Sequence, residues 1–324
     1  MKQWRRSYLL FLVALSLVLA LPWGAMAANF LSLEGATIRS LITTVDDPAN
    51  HVVAPGTGYD GVADIIVSFP SGTYRGSGTL LTQGGKQFLL TAAHVVDDGG
   101  LFPTTFTATF PGGLTATAAA YFLAPGWNGN FNNGYDLAIV KLNAPVTTQS
   151  YDILHTEIVA TTTGNMAGYG LAGLGTTGTT LPSGTLRKGD NTFGEAFWSM
   201  NGSPYAFDFD NGTSDQNTIF SLFVIPSDSG LGNAEAMIAP GDSGGPTFFG
   251  GLIAGVHSFG ATFGTPYDVD SVLNSSFGEL GGDTRVAEFA SWIDSVAVSP
   301  VPVPGAVYLL ASGLGILVFW RRQP

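Results

Sequence analysis

The chain has 324 residues, a formal net charge of −12, 11% charged residues, 44 glycines and no cysteine. The acidic balance argues against a nucleic-acid partner, whose phosphates select Lys and Arg. The missing cysteines exclude disulfides, Cys-ligated zinc and a thiol nucleophile together.

Residues 1–27 read as a secretory signal peptide rather than a retained anchor. Lys2, Arg5 and Arg6 form a positive start and residues 8–20 an apolar stretch. Pro22 breaks it, and Ala25-Met26-Ala27 offers a cleavage site. Residues 28–51 form an extension or propeptide ahead of a body spanning 52–298. Residues 28–300 hold all 24 acidic residues and only seven of the 12 basic ones, so the body is more acidic than the whole.

Within the body, short apolar, β-branched runs alternate with Gly, Pro, Asn and Asp turns. Strands are expected at 62–69, 88–92, 106–110, 137–142, 219–225 and 252–259, an all-β pattern of sandwich or barrel type. Residues 164–184 read as a Gly/Thr-rich loop region. Helical spacing is convincing only at 285–296, where Val286, Phe289, Ala290 and Ile293 share a face. Residues 208–215, Asp-Phe-Asp-Asn-Gly-Thr-Ser-Asp, are rich in hard oxygen ligands. They depart from the EF-hand pattern, so an Asx turn competes with a structural Ca²⁺ site. No other metal or cofactor is expected, and His51, His155 and His257 lack ligand spacing.

Three short motifs carry chemistry. Thr91-Ala92-Ala93-His94 ends one apolar run, Tyr135-Asp136-Leu137 begins another, and Gly241-Asp242-Ser243-Gly244-Gly245-Pro246 precedes a third. A serine hydroxyl is a poor nucleophile without an adjacent base. His94 can take its proton, and Asp136 can fix the imidazole tautomer. The backbone N–H groups of Gly241 and Ser243 can receive a developing oxyanion. The same glycines also satisfy the G-x-S-x-G elbow, which needs the order Ser, acid, His. The sole histidine after Ser243 is His257, with no acid between them, so that fold is disfavoured.

In order and wording, these motifs resemble the trypsin/chymotrypsin family of serine peptidases. The resemblance spans about 52–298. It implies two six-stranded antiparallel β-barrels with the site between them, and a polypeptide substrate. Ala167-Gly168-Tyr169-Gly170 is similar to the family's turn after the barrel crossover. Ser258-Phe259-Gly260 resembles the strand that pairs with substrate, and Ser258 would hydrogen-bond Asp136. By the same resemblance Met237 floors the primary specificity pocket, with Gly260 and Gly281 as its walls. An apolar floor and two glycine walls imply cleavage after a large apolar residue; a register shift would instead bring in Asp283. Asp242 would order the oxyanion loop by pairing with a freed N-terminus, expected at Val52. A non-catalytic binding module on the same fold is the competing function.

The C-terminal end resembles the PEP-CTERM sorting signals. Residues 299–304 are a proline linker in which Val301-Pro302-Val303-Pro304 replaces the usual Pro-Glu-Pro. Residues 305–324 continue as an apolar stretch closed by Arg321 and Arg322. Residues 301–320 together are 20 residues without a charge, enough to span roughly 30 Å, one bilayer core, and the arginines stay cytoplasmic. The resemblance implies export in a Gram-negative bacterium, an exosortase-type processing partner and at least transient membrane anchoring. A plain tail anchor is the simpler alternative.

Overall fold

The computed structural model describes residues 42–130, 133–159, 161–193, 204–223 and 227–298. The expected signal peptide, the linker and the membrane segment lie outside them. Among the described residues no helix is long and apolar enough to cross a membrane.

Alternating side chains build the first half. In β2 (Val62–Phe69), Ile65, Val67 and Phe69 point inward while their neighbours are partly exposed. β3 (Gly72–Gln83), β4 (Lys86–Thr91), β5 (Thr105–Thr109), β6 (Thr115–Ala116), β7 (Ala118–Leu123) and β8 (Ala138–Leu142) join it. Their order is β6-β5-β2-β3-β4-β8-β7, and every pairing is antiparallel. The curled sheet closes over Ile65, Leu80, Leu89, Leu90, Ile139 and Val140, all buried.

The second half contains β9 (Thr162–Gly168), β12 (Arg187–Phe193), β13 (Tyr205–Asp208), β15 (Pro246–Phe249), β16 (Leu252–Ala261) and β17 (Leu280–Arg285). Their order is β12-β9-β15-β16-β17-β13. A third, small sheet joins β1 (Thr43–Thr44), β10 (Ala172–Leu174), β11 (Gly178–Leu181) and β14 (Ala236–Met237) in the order β11-β10-β1-β14. Phe193, Phe207, Phe209, Met166 and Met237 fill the second core. The fold is therefore mostly β, with two curled half-barrel sheets. The first sheet has seven strands instead of the expected six because the two-residue β6 extends its edge.

Two short 3-10 turns and three α-helices complete the described residues, the helices being α1 (Ala93–Val96), α2 (Thr218–Phe223) and α3 (Val286–Val298). The last matches the expected amphipathic segment. α2 replaces the strand expected at 219–225. Asn217 starts it: its Oδ1 accepts the Phe220 amide at 2.9 Å, an N-cap bond that a strand has no use for. The glycines of 164–184 are also not a loop signal, since β9, β10 and β11 occupy most of that stretch. At Gly164, a β carbon would lie within 2.8 Å of Thr247, Phe249 and Phe193. Glycine there marks close packing between strands.

Candidate active site

His94, Asp136 and Ser243 converge where the two halves meet. Ala92 is extended, and the single turn of α1 turns the chain so that His94 faces the junction. Asp136 stands just ahead of β8 and is fully buried. Ser243 lies in the tight loop between β14 and β15. His94 Nδ1 is 2.7 Å from Asp136 Oδ2, and His94 Nε2 is 2.7 Å from Ser243 Oγ. The His94 amide also donates to Asp136 Oδ1 at 3.0 Å. Ser258 Oγ donates to Asp136 Oδ2 at 2.5 Å, the contact expected from the sequence. Thr284 Oγ1 donates to the Asp136 carbonyl at 2.9 Å. A carboxylate that accepts from both the amide and the ring of one histidine fixes that ring's orientation and favours a proton on Nδ1.

The nucleophile loop is shaped by glycine and held by Ser77, a residue that sequence reasoning missed. Gly244 has φ +84, and a β carbon there would collide with Thr91 and Ser77. Ser77 Oγ donates to the Gly241 carbonyl at 2.8 Å, and its amide donates to the Ser243 carbonyl at 2.7 Å. The Tyr169 amide donates back to Ser77 Oγ at 3.0 Å. Ser77 belongs to β3 of the first sheet, so one small side chain clasps the loop of the second half. No strand was expected at 72–83, so nothing in the sequence pointed to Ser77.

Asp242 is fully buried beneath this loop. Its carboxylate accepts the amides of Gly170 at 2.7 Å, Ala239 at 2.7 Å and Ile42 at 2.5 Å. Gly168 and Gly170 are glycines because any β carbon would run into that carboxylate. Burial pushes the Asp242 carboxyl up to about 6, against the lowering pull of the Gly170 amide, His257, the Ile42 amide and Arg187. Val52, expected here as the activating residue, lies elsewhere. It bridges Arg187 and is 47% exposed. The backbone that reaches Asp242 is that of Ile42, whose amide also approaches the Leu171 carbonyl at 3.3 Å. No motif at Ile42 announces this, because a main-chain N–H makes the contact.

The pocket residues are near one another but arranged differently from expectation. Gly260 and Gly281 are direct cross-strand partners on β16 and β17. Met237 is fully buried, and its Cε stands 3.9 Å from where a Gly260 β carbon would be. Gly281 is not an open wall, since the Phe207 ring occupies the space its side chain would take. Phe259 is also buried, with its ring over Gly282. Asp283 does not supply a charged floor. It is fully buried and accepts His257 Nδ1 at 2.9 Å and the Thr247 hydroxyl.

Residues 208–215 contain the Asx turn that the sequence offered beside a calcium site. Asn211 Oδ1 accepts the Thr213 amide at 2.9 Å in an Asx turn. Asp208 accepts the Ile219 amide at 2.8 Å, ahead of α2. Asp208 and Asp210 are instead buried near Glu235 and Asp228. Burial pushes Asp208 up to about 6, Asp210 to about 9 and Glu235 to about 8. Among the described residues no three acidic or His side chains are grouped to hold a metal.

Comparison with known proteins agrees with this geometry. The profile of the family described as Trypsin matches residues 63–293, most of the chain. The chain belongs to the trypsin family. It is a serine-type peptidase. Solved structures resembling it include the protease Anisep from Arthrobacter nicotinovorans, with a TM-score of 0.52 and 17% identity over 81% of this chain and 100% of that one. A thermostable serine protease, AL20, from an extremophilic microorganism gives 0.53 and 14% over 75% and 99%. Neuropsin, a serine protease of mouse brain, gives 0.52 and 14% over 76% and 97%. At such identities these three speak for the fold alone. Among curated proteins the comparison finds no relative.

Proposed function

We propose that this trypsin-family protein is an exported endopeptidase that cleaves polypeptides through an acyl-enzyme on Ser243. The two 2.7 Å contacts linking Asp136, His94 and Ser243 carry the reading. Ser243 Oγ attacks the scissile carbonyl carbon as its proton passes to His94 Nε2. Asp136, holding Nδ1, stabilises the imidazolium. The Gly241 and Ser243 amides receive the oxyanion. His94 then protonates the leaving amine, and water hydrolyses the ester by the reverse path. Extended substrate lies along Ser258, Phe259 and Gly260, and the buried Met237 favours an apolar side chain before the cut.

Maturation belongs to the same reading. A cut between Leu41 and Ile42 turns the amide already 2.5 Å from Asp242 into an ammonium, and the buried carboxylate gains a counter-charge. Export by residues 1–27, and anchoring and exosortase-type processing at 299–324, place the enzyme in the periplasm, at the cell surface or outside a Gram-negative cell.

The test is labelling with a fluorophosphonate. Matured wild type is expected to label and Ser243→Ala to remain blank. An unlabelled wild type that is folded would instead make the protein a binding module.

A further inference from the structure

The family resemblance implied an open pocket with Gly260 and Gly281 as its walls. The side chains around those glycines say otherwise. β13 pairs with β17 so that Phe207 stands directly opposite Gly281, and β16 pairs with β17 so that Gly260 stands opposite Gly281 from the other side. Directly paired residues project to one face of a sheet. Phe207, Gly281 and Gly260 therefore share a face, and Phe207 alone of the three has a side chain to put there.

Its ring lies across Gly281. Cζ, Cε1 and Cε2 all come within 3.0 Å of where a Gly281 β carbon would stand. Gly281 is thus glycine to admit Phe207, not to leave room for substrate. From the Gly260 side the space is bounded by Met237 Cε at 3.9 Å and Leu273 Cδ1 at 3.7 Å, ordinary packing distances. Phe207 and Met237 are both fully buried. Phe207 cannot swing aside, because Phe193 backs it with ring centroids 4.8 Å apart inside the second core. A substrate side chain entering between the glycines meets an aromatic ring fixed by the core.

We propose that Phe207 is the specificity-determining residue of this peptidase, a plug that restricts the residue before the cut to Ala, Gly, Ser or at most Val. The proposal rests on the peptidase reading above, with Gly260 and Gly281 as pocket walls. Admitting a larger side chain would require repacking a dense core, which interiors resist.

The full-length matured protein is profiled on peptides that differ only at the residue before the scissile bond. Wild type is expected to favour Ala over Phe and Leu by about 100-fold in kcat/KM, the scale of pocket-size discrimination. Phe207→Ala is expected to raise the ratio of kcat/KM for Leu and Phe over that for Ala at least about tenfold. Phe207→Leu, which keeps the core apolar, gives the same trend on a smaller scale if the alanine variant does not fold. Dominant wild-type cleavage after Phe, Tyr or Leu overturns the proposal on its own. So does an unchanged profile in a folded variant. Fluorophosphonate labelling of the same samples separates the two failures: a labelled enzyme with the wrong profile sinks only the plug, and an unlabelled one sinks the peptidase reading beneath it.

Discussion

The contact between Ile42 and Asp242 makes a prediction whose sign depends on one charge. In a chain that continues upstream of Ile42, the buried Asp242 accepts neutral amides, and its carboxyl is raised from 3.8 to about 6. That rise corresponds to about 3 kcal/mol in favour of the protonated form. The folded state then binds a proton more tightly than the unfolded state, so this contribution to stability is full below pH 3.8 and lost as pH rises to 6. Beginning the chain at Ile42 places an ammonium against the carboxylate and drives its pKa down. The sign reverses: stability from the pair is present above pH 4 and lost as pH falls. Two forms should be compared, one starting at Ala28 and one at Ile42, both running to residue 324. Other buried carboxyls affect both equally, so the difference between their melting curves isolates Asp242. From pH 4 to 6 the Ile42 form should gain on the Ala28 form. By pH 7 the gap should reach about 6–12 °C, given roughly 2–4 °C per kcal/mol in a domain of this size. The Ile42 form should also hold most of the peptidase activity, because Asp242 lies under the oxyanion loop. Acetylating the new amine should abolish both gains. Superimposable pH profiles and equal kcat/KM in the two forms would refute the reasoning.

Three further outcomes are expected. Ser77→Ala strands the buried Gly241 carbonyl and Tyr169 amide, costing about 1–3 kcal/mol; calorimetry should show the loss, and kcat should fall more than KM changes because the oxyanion loop loosens. Asp210→Asn removes a buried acid whose carboxyl is pushed up to about 9. The folded wild type loses stability as pH rises from about 4 to about 9, so the variant should melt roughly 10 °C or more higher at pH 8 with little difference at pH 4. Gly244→Ala forces a β carbon into Thr91 and Ser77, so no folded, labelled enzyme should be recovered from a pull-down with fluorophosphonate-biotin.

What the sequence made legible follows from the kind of interaction involved. His94, Asp136, Ser243 and Ser258 were readable because side-chain chemistry demands those residue types in short motifs. β2, β8 and α3 were readable because burial imposes a period on their residues. Ile42 was hidden, since a backbone amide can come from any residue but proline. The apolar run at 219–225 suited a strand as well as a helix, and only the Asn217 cap decided it. Gly260 and Gly281 look like vacancies along the chain, while the ring that lies across Gly281 is that of Phe207, more than 50 positions earlier than either.

The clasp formed by Ser77 has a consequence for folding. Ser77 meets Ser243 over a sequence separation of 166, and His94 meets Ser243 over one of 149. Contacts of such long range form late, after each half has collapsed on its own strands. Catalytic power therefore appears only when the halves dock, and a chain with one half still unfolded is inert. Activity is a report on the final step of assembly, made without a disulfide to lock it.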